Sequence, residues 1–332
     1  MRFSLRVNND LTLPEYLALA RAAEQGGFHQ LWVSDDLFFR SAPILLAAVA
    51  GATTRLEIGT GILNPYTIHP SEIAMLAATL DELSGGRFNL GLAAGAPSFL
   101  AWVGIEQARP LAAVRETIDA VRGLLTGRRV ATTGRFLRWT ADAYLRFIPP
   151  RRPPIYVGAT SPGMLRLAGE QADGALPLLM PPEHYFTVRP LIEEGVKRRP
   201  PDLPPLDLAA CIWVSLAEDR GAARRALAEK VAYYGHALGP MILGRLGLTP
   251  GDLEPVTRAM IVERDVERAC GLVDERMLRI GVVGEPADVV ARLQPLVAAG
   301  ARHLSFGPPL GPDPVRAVEL LGREVLPHFR SA

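Results

Sequence analysis

Charged side chains at the predicted ends of two neighbouring strands are the residues best suited to acid–base chemistry. Asp35 and Asp36 directly follow the apolar stretch 30–34, and Arg6 lies near the end of the first predicted strand. A carboxyl group at a strand end has a perturbed pKa when it is partly buried, so Asp36 is a candidate catalytic residue. A helix N-cap or a salt-bridged carboxylate is the alternative for Asp36. Arg6 either binds an anionic substrate or pairs with Asp35 or Asp36, and pairing is the commoner state of a buried arginine.

Three other predicted strand ends carry glycine and no charge. The sequence Gly-Thr-Gly at 59–61 runs into Asn64 and Pro65, and a helix begins at Pro70. Glycine keeps a strand end free of bulk, so a flat ligand can lie against the backbone there, although glycine also serves in plain turns. The segments 93–96 and 158–161 have the same uncharged character. Together they favour a planar aromatic ligand.

The segment Gly158, Ala159, Thr160, Ser161 precedes a predicted helix that begins at Pro162. Bare amides, two hydroxyl groups and a helix N-terminus together form a suitable seat for a phosphate. Thr160 or Ser161 can also act as a helix cap, with proline at the first helical position. Both roles can hold at once.

Composition limits the classes of partner. The chain has 332 residues, 48% of them apolar, and a net charge of +1, which gives no field to recruit nucleic acid or a membrane surface. The two cysteines and six histidines show no metal-ligand spacing, so we expect no metal site. We find no signal peptide and no apolar run of roughly 18 residues, so we expect a cytoplasmic protein.

Strands and helices alternate along the chain. Eight strands, each followed by a helix, predict an α/β fold of the (β/α)8 TIM-barrel class, in which strand carboxyl ends carry the chemistry. An open doubly wound sheet is the alternative, and it is disfavoured because no GxGxxG follows the first strand. We predict one domain over residues 1–332, with insertions at about 128–153 and 239–279. The predicted strands are 2–7, 30–34, 57–61, 88–94, 155–158, 174–178, 206–214 and 303–306.

Four sequence segments together resemble the bacterial-luciferase-like superfamily, and the resemblance covers nearly the whole chain. They are 31–36 (LWVSDD), 59–70 (GTGILNPYTIHP), 80–87 (LDELSGGR) and 158–162 (GATSP). The segments 64–70 and 100–106 (LAWVGIE) are most similar to the branch that uses the deazaflavin coenzyme F420, and within it to the methylenetetrahydromethanopterin reductases.

This resemblance implies a luciferase-like TIM barrel that binds coenzyme F420, or FMN as the alternative, and forms a homodimer. It implies a non-prolyl cis peptide in a bulge at Gly61-Ile62, pressing on the back of the tricyclic ring. The same matching assigns Asp35 and Asn64 to the ring or its polyol, Ala94 and Gly95 to the tail, and Gly158, Ala159, Thr160 and Ser161 to the phosphate.

The implied activity is that of an F420-dependent oxidoreductase, which transfers a hydride between the deazaflavin C5 and a small organic substrate. An FMN-dependent monooxygenase and a non-catalytic flavin-binding protein are the alternatives. Asp36 stands where related sugar-phosphate dehydrogenases keep a catalytic histidine, Ala96 replaces another common acid, and Arg6 replaces a glutamate of the methanopterin reductases. These departures favour reduction of a polarised C=N or C=C bond over oxidation of an alcohol, which needs a base.

Overall fold

The computed structural model describes residues 1–178 and 181–330, and its parallel strands close into a barrel. Each strand of the ring pairs with its neighbours in chain order, the eighth pairs with the first, and the sixth meets the seventh at Gly174 and Asp207. The predicted (β/α)8 fold is therefore confirmed. The eight barrel strands, numbered first to eighth below, are Arg2–Val7, Gln30–Val33, Glu57–Thr60, Phe88–Leu92, Ile155–Ala159, Gly174–Pro177, Asp207–Leu216 and His303–Leu310.

Helices follow the strands and surround the barrel. Many begin with proline in the first turn, where the missing N–H would have had no partner. The two helices predicted to begin at Pro70 and Pro162 begin at those residues. The main helices are Leu13–Gly26, Ala42–Ala52, Pro70–Leu83, Pro110–Leu125, Pro162–Gln171, Tyr185–Val196, Arg220–Tyr234, Pro286–Ala298 and Pro314–Leu320.

Two elements near the barrel mouth differ from the sequence prediction. Pro97–Trp102 is a short helix after the fourth strand, in addition to the one helix predicted for each strand. Val282–Gly284 is an extra strand that pairs in parallel with the downstream part of the seventh strand. Both follow from tertiary contacts, because each segment is too short to carry a periodic pattern of its own.

The two predicted insertions have different structures. The first contains a two-stranded hairpin, Thr132–Thr133 with Arg138–Trp139. The second contains short helices whose apolar side chains join Trp213, Leu227 and Val231 in an apolar cluster apart from the main core. Its helices are Pro240–Leu243, Pro250–Thr257, Val266–Gly271 and Glu275–Leu278.

Large side chains fill the barrel interior. Trp32 is fully buried and packs edge-on against Tyr156, with ring centroids 4.8 Å apart. A Cβ at Gly59 would lie 2.4 Å from the Trp32 ring, so glycine is required opposite this side chain. Of the helices in the described ranges, none is both long and apolar enough to cross a bilayer.

Candidate active site at the strand carboxyl ends

A cavity of about 700 Å³ opens at the carboxyl ends of the barrel strands. Every site residue predicted from the sequence lines it, so the structure brings together segments that are far apart in the chain. These residues are Arg6, Asp35, Asp36, Gly61, Ile62, Asn64, Ala94, Gly95, Gly158, Ala159, Thr160 and Ser161.

A bulge at the end of the third strand forms one wall of this cavity. The third and fourth strands pair at Gly59 and Asn89 and again at Leu63 and Leu92. Between these two pairs the third strand advances four residues and the fourth strand three, so the third strand has one extra residue. The Gly61-Ile62 peptide inside this bulge is cis, as the family resemblance implied. The bulge turns the Ile62 side chain toward the fifth strand.

The wall around Ile62 is flat because its neighbours are small. A Cβ at Gly158 would lie 3.1 Å from Ile62 Cγ2 and 3.2 Å from the Ala93 Cβ. A larger side chain at position 158 would therefore displace the bulge or fill the cavity. Ile62, Ala93 and Gly158 together make an uncharged platform for a planar ligand.

Asn64 and Gly95 shape the wall beside the platform. The Asn64 Oδ1 accepts hydrogen bonds from the backbone N–H groups of Tyr66 and Thr67, at 3.1 and 3.0 Å, so this oxygen fixes the corner after the bulge. Gly95 has φ of 75°, and a Cβ there would lie 3.3 Å from Asn64 Cγ. The left-handed conformation and the close approach both require glycine.

Gln107 also lines the cavity, and sequence analysis missed it. Its Nε2 donates to the carbonyl oxygens of Ala94 and Gly95, at 2.8 and 2.9 Å. These bonds hold the loop after the fourth strand. Gln107 directly follows the segment 100–106, but its contact joins residues 12 and 13 positions apart, which local periodicity does not predict.

The loop after the fifth strand leads into the helix Pro162–Gln171. The Ser161 Oγ accepts a hydrogen bond from the Met164 N–H at 3.4 Å, so Ser161 caps this helix. Thr160 and Ser161 are exposed at the cavity, and the helix N-terminus points its free amides the same way. The cap predicted from the sequence is confirmed, and the same atoms stay open to an anion.

Asp36 is held in place by a buried asparagine. The Asn9 Nδ2 donates to the carbonyl oxygens of Asp36 and Arg40, at 2.9 and 2.7 Å, and Asn9 is fully buried. The Ser34 hydroxyl donates to the Asp36 carboxylate at 3.3 Å. Burial raises the pKa of Asp36 above its ordinary value, and the Ser34 hydrogen bond and the charge of Lys230 offset only part of that rise.

The helix-capping role considered for Asp36 belongs to its neighbour. The Asp35 Oδ1 accepts a hydrogen bond from the Ala42 N–H at 3.0 Å, at the start of the helix Ala42–Ala52. Burial raises the pKa of Asp35, and the Ala42 hydrogen bond opposes that rise. Within residues 1–178 and 181–330, Asp36 forms neither a helix cap nor a salt bridge, so its carboxyl group remains available to a ligand.

The expected pairing of Arg6 with Asp35 or Asp36 is wrong. The Arg6 Nε donates to the Ser305 Oγ at 3.2 Å, and its Nη2 donates to the Ile212 carbonyl oxygen at 3.1 Å. The side chain runs across the barrel toward the seventh and eighth strands. A Cβ at Gly307 would lie 2.4 Å from Arg6 Nη2, so this glycine leaves the space that the guanidinium group occupies.

Lys230 is a second cation at this end of the barrel, and sequence analysis missed it. Its Nζ lies 3.9 Å from the centroid of the Tyr234 ring and 5.4 Å from that of Trp213. Burial lowers the pKa of Lys230 to about 8, even though the charges of Asp10 and Asp36 act in the opposite direction. Its position in the middle of the helix Arg220–Tyr234 gave no sequence signal.

No cluster of three or more histidine, cysteine, aspartate or glutamate side chains that could hold a metal ion occurs in the described part of the chain. The cavity offers glycine-rich walls, a helix N-terminus, two carboxyl groups and the Arg6 cation, and Lys230 lies over the Trp213 ring at the same end of the barrel. This set suits binding of a planar cofactor with a phosphate, and acid–base chemistry beside it.

Comparisons with known proteins agree with this geometry. The chain is 34% identical over 328 residues to the 5,10-methylenetetrahydromethanopterin reductase of Methanopyrus kandleri, which covers 94% of each chain. It is 30% identical to the F420-dependent glucose-6-phosphate dehydrogenase of Nakamurella multipartita, covering 100% of this chain and 97% of the relative.

A solved structure gives the same result. The coenzyme F420 dependent tetrahydromethanopterin reductase from Methanopyrus kandleri superposes on 99% of each chain with a TM-score of 0.92 and 31% identity. The family model described as luciferase-like monooxygenase matches residues 2–303. This chain therefore belongs to the luciferase-like monooxygenase family.

Proposed function

We propose that this protein is an F420-dependent oxidoreductase, which transfers a hydride between the coenzyme and a small organic substrate. The observation that carries the proposal is the uncharged platform of Ile62, Ala93 and Gly158, with a phosphate seat at Thr160 and Ser161 beside it. The full-length similarity to F420-dependent enzymes from two different reactions supports it.

The residues present fit such a cofactor. A volume of about 700 Å³ lies within the range of ligand cavities that hold a cofactor and a small substrate. Ile62 would contact one face of a planar ring, and Asp35 and Asn64 would contact its polar edge. Ala94 and Gly95 would line the tail, and Gly158, Ala159, Thr160 and Ser161 would hold the phosphate.

The bound coenzyme would supply the hydride, and a side chain of this protein would donate the proton. Because burial raises the pKa of Asp36, this carboxyl group holds its proton to a higher pH than an exposed aspartate does. Asn9 and Ser34 orient it from below. Asp36 is the residue we assign as the acid that protonates the atom next to the reduced carbon, which suits reduction of a C=N or C=C bond.

Turnover of reduced F420 with and without oxygen tests this proposal. We expect a panel of imines and enones, including 5,10-methylenetetrahydromethanopterin, to contain a substrate that oxidises reduced F420 anaerobically, with no oxygen consumed when air is admitted. Oxygen uptake that depends on reduced FMN would contradict the proposal and support the monooxygenase alternative. Binding of either cofactor without any turnover would support the non-catalytic alternative.

We also propose that the protein is a cytoplasmic homodimer. Ile44, Met75 and Leu83 on the second and third helices are 73%, 46% and 56% exposed, which leaves apolar side chains on one side of the barrel for a second copy to cover. Sedimentation velocity of the wild-type protein and of Ile44→Glu tests this arrangement. We expect a dimer for the wild type and a shift to monomer for the variant, and a monomeric wild type would contradict it.

A further inference from the structure

Two cations at the cavity end of the barrel have no carboxylate partner in the described residues. Neither Arg6 nor Lys230 has a carboxylate oxygen within 4.0 Å, although most arginines of the chain with a similar degree of burial are paired in this way. A partly buried charge without an ionic partner is costly in free energy. An anionic ligand would stabilise both of these cations.

The hydrogen bonds of Arg6 leave most of its donors free. A guanidinium group has five N–H donors, and the described contacts use one on Nε and one on Nη2. Both acceptors, the Ser305 hydroxyl and the Ile212 carbonyl, are neutral, so the positive charge is not compensated. The remaining donors form the planar fork that matches a carboxylate or a phosphate.

Lys230 is unusual for this chain. Of its 36 lysine and arginine residues, only Lys197 and Lys230 are lysines. Lys230 lies against the Trp213 and Tyr234 rings, which stabilise a cation without accepting its three N–H donors in ordinary hydrogen bonds. Within the described residues the ammonium group donates no hydrogen bond, so its three donors remain free for a ligand.

Both cations lie beside the same stretch of the seventh strand. The Arg6 Nη2 donates to the Ile212 carbonyl oxygen, and the Lys230 Nζ lies 5.4 Å from the ring centroid of the next residue, Trp213. In keeping with this, the charge of Arg6 lowers the pKa of Lys230 and that of Asp36 raises it. Asp10, the other acid in range of Lys230, is exposed and accepts a hydrogen bond from Asn8 at 3.3 Å. Arg6 and Asp36 both line the cavity, so an anion between Arg6 and Lys230 would lie beside the proposed proton donor.

The cationic pair and the phosphate seat lie on different walls of the barrel mouth. Arg6 belongs to the first strand and Ser161 follows the fifth, and in the order of the closed ring these strands are opposite each other. With one anion site on each wall, the cofactor phosphate and a second negatively charged ligand would bind at separate places. The platform of Ile62, Ala93 and Gly158 lies on the phosphate side.

We propose that the substrate carries an anionic group, a carboxylate or a phosphate, and that this group is bound by the Arg6 guanidinium and the Lys230 ammonium. The inference rests on the proposed function, because it assigns the substrate class of the same cavity. It also gives Arg6 a binding role in place of the ion pair expected from the sequence.

Calorimetric titration of the F420-loaded protein with inorganic phosphate and, separately, with acetate tests this proposal. In the F420-loaded protein the coenzyme occupies the phosphate seat at Ser161. Binding of a further anion to this protein therefore measures the site at Arg6 and Lys230. We expect one-to-one saturable binding of at least one of the two anions by the wild type, and the tighter one identifies the group. Arg6→Gln and Lys230→Met should each weaken this binding at least tenfold. Arg6→Lys and Lys230→Arg, which keep the charge, should lose less.

Lys197→Met removes the other, exposed lysine and is the matched control, which should bind the anion as the wild type does. Absence of saturable anion binding by the wild type, or equal binding by the Gln and Met variants, would overturn the proposal. Titration of F420 into the same unloaded proteins keeps the two proposals separate. Weak F420 binding by the wild type would contradict the proposed function, whereas normal F420 binding without anion binding would contradict only the substrate class.

Discussion

Charged side chains form ion pairs at one end of the barrel and remain unpaired at the other. At the amino ends of the strands, Arg2 pairs with Glu57 at 2.9 Å and with Asp207 at 3.1 Å. Asp207 also accepts hydrogen bonds from the Tyr156 hydroxyl, at 2.7 Å, and from His303 Nδ1, at 3.0 Å. At the carboxyl ends, Asp36, Arg6 and Lys230 have no ionic partner within 4.0 Å in the described ranges.

The difference is visible in two carboxyl groups. Burial alone would raise the pKa of both Asp36 and Asp207. His303, Tyr156 and Arg2 reverse this at Asp207 and hold its pKa well below the ordinary value, whereas burial dominates at Asp36. In TIM barrels the amino ends of the strands serve stability and the carboxyl ends hold the ligand. The paired charges at one end of this barrel and the unpaired charges at the other agree with that division.

Asp207→Asn should have the largest effect, and on stability rather than binding. It removes the charge that compensates Arg2 and weakens the hydrogen bonds with Tyr156 and His303, so we expect the free energy of unfolding to fall by about 3 kcal/mol. Urea denaturation measures the loss. F420 affinity should stay within twofold, and the exposed-pair control Glu193→Gln should cost less than about 1 kcal/mol.

The same residue predicts a pH dependence of stability. Because the folded-state pKa of Asp207 is lowered, its stabilisation is present above the ordinary pKa of about 4 and is lost as the pH falls further. Denaturation midpoints of the wild type should therefore fall more steeply below about pH 4 than those of Asp207→Asn. Parallel curves would show that the amino-end network does not depend on this charge.

Gly158→Val tests the platform at the carboxyl end. The added methyl groups would occupy the space between Ile62 and Ala93, so we expect F420 binding at least about 100-fold weaker, measured by fluorescence titration. Gly51→Ala is the control, because a Cβ there meets nothing within 4 Å. Unchanged F420 affinity in Gly158→Val would mean that the ring lies elsewhere.

Asp36→Asn tests the unpaired acid. We expect kcat to fall about 100-fold, with F420 affinity within threefold, because general acid catalysis contributes that much or more. With the wild type, kcat should fall as the pH rises through the raised pKa of Asp36, since the proton donor is then lost. The decrease in kcat with rising pH should be absent in Asp36→Asn and present in Asp10→Asn.

Ser161→Ala should have the smallest effect. Loss of the helix cap should cost about 1 kcal/mol of stability, and loss of one hydroxyl at the phosphate seat should weaken F420 binding up to about tenfold. Asp219→Ala removes the cap of the helix Arg220–Tyr234, so it should lower stability similarly without changing F420 affinity. Equal F420 affinities in both variants would restrict Ser161 to capping.

Local patterns were enough to predict the barrel and the cavity wall. The alternation of predicted strands and helices indicated the barrel. Glycine and proline marked the strand ends that meet at the cavity, so Gly61, Gly95 and Gly158 were identified from the sequence. The interpretation as one domain with insertions stays a prediction, although the apolar cluster around Leu227 gives the second insertion a core of its own.

Contacts between separate segments were not predictable from the sequence. Asn9 holds the loop after the second strand, Gln107 holds the loop 12 and 13 residues before it, and Lys230 lies near Asp36. The pairing expected for Arg6 was wrong because the direction of its side chain depends on the space left by Gly307. Side-chain partners of this kind follow from register and packing rather than from spacing.

Titration of F420 and FMN into the cofactor-free protein, followed side by side by fluorescence, tests the central claim most directly. The uncharged platform and the phosphate seat are common to both ligands, so the comparison measures which coenzyme the carboxyl end of the barrel selects. We expect saturable F420 binding at least about tenfold tighter than FMN binding, a difference of about 1.4 kcal/mol. Tighter binding of FMN, or binding of neither, would contradict it.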